Sequence, residues 1–102
     1  MAEIINQGQV SVLGTVIYTG IAGPLSTKIT LLKFYNPAAY ILTLTRYDAL
    51  TASTETIYEF NLSAGDSVTD NTLYALNPGD QLIVYSDIVG TSYYVYGTDY
   101  AQ

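Results

Sequence analysis

At 102 residues the chain is long enough for one domain and too short for two. It has no cysteine and no histidine, so disulfide staples, thiolate chemistry, zinc sites of ordinary composition and Ser-His-Asp or Cys-His arrangements are excluded. The net charge is −6 and Lys28, Lys33 and Arg46 are the only cations, too few to neutralise many phosphates, so neither nucleic acid nor an anionic membrane is an expected partner.

Only 12% of residues are charged, while 49% are apolar or aromatic. Much of the surface must therefore be Thr, Ser, Asn, Gln and Tyr, which suits a protein held in a crowded assembly better than a free monomer. No run of about 20 apolar residues is present to span a bilayer. Met1-Ala2-Glu3-Ile4-Ile5-Asn6 carries an acid where a signal peptide carries positive charge, so the chain reads as one made without a cleaved signal.

The predicted elements are strands punctuated by turns. Residues 1–14 read as an N-terminal leader and a first short strand, and residues 15–102 as a single β-sandwich domain. Gln9 to Leu13 and Thr15 to Thr19 are two short strands, or one strand bulged at Gly14. Ala22-Gly23-Pro24 is a loop. Thr27 to Tyr35 is the strongest strand, with Thr30, Leu32 and Phe34 on the core face and Ile29, Leu31 and Tyr35 on the other. Asn36-Pro37 marks a turn. Tyr40 to Tyr47 alternates, with Leu42 and Leu44 inward. Asp48 to Ser53 is a loop. In Thr54 to Leu62, the side chains of Tyr58, Phe60 and Leu62 are expected inward and Glu55, Glu59 and Asn61 outward. Ser67 to Thr69 and Thr72 to Leu76 are short strands. Gln81 to Ser86 and Ser92 to Thr98 close the domain. About eight strands at roughly ten-residue spacing predict an all-β fold, an antiparallel β-sandwich or jelly roll, with a barrel as the alternative.

Leu62-Ser63-Ala64-Gly65-Asp66-Ser67-Val68 echoes Leu76-Asn77-Pro78-Gly79-Asp80-Gln81-Leu82. Both read as tight turns in which Gly supplies a positive φ and Asp accepts from nearby amides. The functional alternative makes Asp66, Asp70 and Asp80 calcium ligands, although their spacing matches no recognised calcium loop. Glu55 and Glu59, four apart on one strand face, would lie roughly 13 Å from each other, wider than a glycosidase pair. They read as solvated charges, and Lys28, Lys33 and Arg46 as members of surface ion pairs. Neither catalytic residues nor a cofactor or metal site is expected.

Eleven tyrosines and no tryptophan are the oddest feature. Tyr93, Tyr94 and Tyr96 crowd the last strand, with Tyr94 and Tyr96 on one face and Tyr93 and Val95 on the other. Three readings stay open for them: core filling, subunit contact and a stacking platform for sugars. The strand at 27–35 also has two apolar faces, so a second cover is expected over it. Ile4 and Ile5 either dock on a neighbour as an arm or cap the domain's own core. The candidate interface is therefore Ile4, Ile5, Ile29, Leu31, Tyr35, Tyr93, Tyr94 and Tyr96.

A Thr-Val-Ile-Tyr-Thr start leads to Ile-Thr-Leu-Leu-Lys-Phe-Tyr-Asn and Tyr-Ile-Leu-Thr-Leu-Thr-Arg-Tyr-Asp. Then come Thr-Ile-Tyr-Glu-Phe-Asn-Leu-Ser-Ala-Gly-Asp, Leu-Asn-Pro-Gly-Asp-Gln-Leu-Ile-Val-Tyr-Ser and a closing Tyr-Gly-Thr-Asp. Across residues 15–99 this order resembles the small β-sandwich virion proteins of tailed phages. The resemblance implies a virion location after synthesis in the host cytoplasm, an assembled state (a homotrimer in many cement proteins) and no enzyme activity. The long charged or glycine-rich insertions of many fibre modules are absent here, which favours a head decoration, or cement, protein over a fibre. Such a protein would contact the major capsid protein and itself. The alternatives are a tail or neck component and a carbohydrate-binding module.

Overall fold

In a computed structural model, which describes residues 2–20 and 25–101, the period-two patterning resolves into nine strands and, among the described residues, no helix. They are β1 (Ala2–Gln9), β2 (Thr15–Thr19), β3 (Leu25–Tyr35), β4 (Tyr40–Asp48), β5 (Ser53–Leu62), β6 (Ser67–Asp70), β7 (Tyr74–Leu76), β8 (Gln81–Ser86) and β9 (Ser92–Ala101). The loop expected at Ala22-Gly23-Pro24 lies outside the described residues.

All pairings are antiparallel and form two sheets. The five-stranded sheet runs β1-β9-β3-β6, and β7 also pairs with β3. The four-stranded sheet runs β2-β8-β4-β5. β6 lies along Leu32–Tyr35 and β7 along Thr27–Ile29, so together they act as one interrupted strand beside β3. Counted that way, the two sheets have four strands each, in the order of a jelly roll.

The core lies between the sheets. Ile29, Leu32, Phe34 and Val95 meet Ile17, Leu42, Leu44, Leu82 and Val84, all at 1% exposure or less. Both echoed turns form as expected. Asp66 N–H donates to Ser63 C=O at 3.1 Å and Asp80 N–H to Asn77 C=O at 3.0 Å, with positive φ at Gly65 and Gly79.

Three local differences from the expected pattern have physical causes. The first strand covers 2–9, not 9–13, and residues 11–14 form a turn closed by Gly14 N–H to Ser11 C=O at 3.0 Å. The inward positions of β1 include Asn6 and Gly8, which give no apolar signal. Asn6 donates its side-chain amide to Ile17 C=O at 2.6 Å across the sandwich, and Gly8 leaves room for the Tyr93 ring. The second difference is a bulge at Thr30 in β3. It turns Ile29, expected outward, into the core at 0% exposure and leaves Thr30 outside. The third is a bulge at Ile57 in β5, where Leu44 opposes Tyr58 but Thr45 opposes Thr56. Glu59 then pairs with Thr43 and Glu55 with Arg46, so the two glutamates lie on opposite faces rather than one.

Candidate functional site

The outer face of the five-stranded sheet is built by simple alternation. Partners directly opposite in an antiparallel pair share a face, and every second row returns to it. One outer row is Gln9, Ser92, Tyr35 and Ser67; the next is Gln7, Tyr94, Lys33 and Thr69; a third is Ile5, Tyr96 and Leu31. No further layer of described residues lies over these rows. Ile5 is 57% and Tyr35 45% exposed, while Leu31, Tyr94 and Tyr96 are half-buried against their row neighbours. The twist hollows the Tyr94 and Tyr35 rows into a concavity of about 510 Å³ whose rim includes Gln7, Lys33 and Thr69.

Five of the eight predicted interface residues therefore converge: Ile5, Leu31, Tyr35, Tyr94 and Tyr96. Two do not. Ile29 is core, through the Thr30 bulge, and Tyr93 faces inward and packs against the core beside Gly8. Ile4 pairs with Gly97 through its backbone, and its side chain lies outside the described residues.

A second cluster, absent from the sequence reading, closes the opposite side of the sandwich. Tyr58 of β5 and Tyr74 of β7 both donate their hydroxyls to Asp70 Oδ2, at 3.0 and 2.6 Å, and the Thr72 amide donates to Asp70 Oδ1 at 2.9 Å. Burial pushes the Asp70 carboxyl up, but the hydrogen bonds from Tyr74, Thr72 and Tyr58 outweigh it and hold it below the usual carboxylate value. Burial first, then the adjacent Asp70, pushes both tyrosine hydroxyls well above their ordinary value. They stay protonated donors. The arrangement therefore works as a clamp between the sheets. Beside it, Tyr58 and Phe60 stack with ring centroids 4.8 Å apart, on a groove of about 620 Å³ that includes Ile57, Val68 and Asn71. Phe60, expected inward, is 44% exposed there.

The acids of the calcium alternative, Asp66, Asp70 and Asp80, separate into individual roles. Asp80 is 2% exposed and accepts from Arg46 at 2.9 Å, Ala49 N–H at 3.0 Å and Asn77 N–H at 3.1 Å. Burial raises its carboxyl, and the bonds from Ala49, Arg46 and Asn77 overcome this and lower it. Among the described residues no three acidic side chains gather, so Asp66, Asp70 and Asp80 do not form one site. Arg46, expected in a surface pair, instead reaches this buried acid. No family model matches the sequence, and the curated proteins hold no match to it.

Proposed function

We propose that this protein is a virion structural protein of the tailed-phage type, a capsid decoration protein that stabilises the shell by protein–protein contact. The docking surface is the outer face of the five-stranded sheet and the partner is the major capsid protein. One observation carries the reading: Ile5, Leu31, Tyr35, Tyr94 and Tyr96 share an uncovered sheet face, with Lys33 among them and Lys28 in the next row opposite Thr98. Tyrosine gives large contact area at low entropic cost, and apolar faces of this kind mark interaction sites. The jelly-roll order adds a fold-level analogy, since viral capsid and lectin domains both use it. Cosedimentation with expanded shells assembled from the proposed partner, a major capsid protein of the same phage, tests the reading. Saturable binding that is lost in the Tyr94→Ser/Tyr96→Ser double variant is expected. Absence of binding, or binding indifferent to that variant, overturns it.

A second reading, a carbohydrate-binding module, draws on the Tyr58–Phe60 stack beside the groove with Asn71 and Thr72. A glycan array followed by titration calorimetry on Phe60→Ala separates it from the first.

A further inference from the structure

Four strands end the sheets: β1 and the β6/β7 line on the five-stranded sheet, β2 and β5 on the other. Folded proteins blunt such edges because unpaired amides and carbonyls invite another strand. Three of the four are blunted. The β6/β7 line is cut into pieces of four and three residues. β2 has five residues and a bulge at Ile17. β5 is longer but carries the Ile57 bulge and two acids, Glu55 and Glu59. β1 has none of these devices. It runs eight residues in unbroken register with β9, without proline, lysine or bulge, and its one charge is Glu3.

The direction of its free amides follows from the ladder. Val10 continues the register opposite Thr91, and the Val10 amide donates to the Thr91 carbonyl at 2.8 Å. Bonded and non-bonded positions alternate along an antiparallel pair. The amides of Ile4, Asn6 and Gly8 therefore face β9, and those of Glu3, Ile5, Gln7 and Gln9 face the edge that no described strand pairs with.

We propose that β1 pairs antiparallel with β1 of a second copy of this chain, about a two-fold axis, joining two five-stranded sheets into one. The strand's one charge does not meet its own copy. Centred on Ile5, the pairing sets Glu3 opposite Gln7 of the second copy; centred on Asn6, it sets Glu3 opposite Gln9. Neither register opposes like charges. Ile5 and Gln7 lie on the outer face, so the pairing also makes the two Tyr94–Tyr96 faces continuous. The inference stands on the edge and does not rest on the docking role proposed above. The two-fold pair also differs from the trimer implied by the resemblance to cement proteins.

Light scattering after gel filtration, across concentrations, tests it. The expected mass is twice 11.1 kDa. Ile5→Pro and Gln7→Pro each remove only an edge-facing amide, so each should raise the dimer dissociation constant roughly tenfold or more while the circular dichroism and melting are retained. Asn6→Pro, which removes a bond to β9, should instead damage the fold. Amide hydrogen exchange on the wild type supplies a measurement free of any folding defect: the Gln7 amide should be protected at high concentration and exchange freely on dilution. A monomer at every concentration, a trimer, an oligomer that survives both proline changes, or Gln7 exchange independent of concentration each overturns the proposal.

Discussion

The guanidinium of Arg46, in the four-stranded sheet, meets the Asp80 carboxylate at 2.9 Å where the chain passes from β7 to β8 and so from one sheet to the other. The same Nη2 donates to the Ala75 carbonyl of β7 at 2.7 Å. One side chain thus ties its own sheet to the crossing. Asp80→Asn keeps the shape but puts an NH2 donor at one of the two oxygen positions, against Ala49 N–H at Oδ1 or against Arg46 and Asn77 N–H at Oδ2. A loss of roughly 2–3 kcal/mol is expected in urea unfolding. Arg46→Ala should cost less, about 1 kcal/mol, because that side chain is 32% exposed and partly screened.

Acid should destabilise the protein in a defined window. Asp70 and Asp80 both have folded-state values below the ordinary 3.8. Depressed carboxyls contribute stability that is complete above the unfolded value and is lost as pH falls through the folded one. The melting temperature should hold from pH 7 to about 5, then drop as the unfolded chain takes up protons first. Asp70→Asn and Asp80→Asn should each flatten that fall. A melting temperature that climbs below pH 4 would contradict the assignment.

Tyr58→Phe removes one hydroxyl from Asp70 and leaves the stack on Phe60 in place. A loss of about 1–2 kcal/mol is expected, with a similar loss for Tyr74→Phe. Because both hydroxyls serve one oxygen, Asp70 Oδ2, the double variant should depart from the sum of the two. Strict additivity in a double-mutant cycle would show that they do not act as one clamp.

The outer-face tyrosines should behave in the opposite way. Tyr35→Ser and Tyr94→Ser remove contact area from an uncovered surface, so stability should change by no more than about 0.5–1 kcal/mol, while the proposed docking on a shell should be lost. A collapse in stability on either change would assign those rings to internal packing.

Gly97 is a packing requirement. A Cβ there would stand 2.3 Å from the Lys28 carbonyl oxygen and 3.0 Å from the Ile29 Cα, and this backbone of the neighbouring β3 has little room to yield. Gly97→Ala should cost roughly 2 kcal/mol or more by thermal unfolding.

The alternation that marks β4, β8 and β9 was readable because each keeps its period: Leu42 and Leu44 inward, Tyr94 and Tyr96 outward. The common side of Leu31 and Tyr35 and that of Tyr94 and Tyr96 were readable for the same reason, while their meeting on one face depends on the β3–β9 pairing. What escaped depends on neighbours. The Thr30 bulge reverses Ile29, and no local signal marks it, since the space Ile29 enters is left by Gly97 on β9. The Ile57 bulge likewise separates Glu55 from Glu59. β1 hid because its inward positions hold Asn6 and Gly8, each explained only by a residue far along the chain, Ile17 and Tyr93. The Tyr58–Asp70–Tyr74 cluster draws on β5, β6 and β7, so it exists only once the two sheets face each other.

The place of β9 between β1 and β3 bears on how the molecule is made. Residues 2–9 and 25–35 have no direct pairing with each other and are joined only through residues 92–101. While a ribosome is still producing the chain, the five-stranded sheet lacks its middle, and the apolar side of β3 has no partner there. Closure over so long a stretch is slow and comes late. The five-stranded sheet should therefore close only once residues 92–101 have emerged, and the chain made before them needs shielding until then.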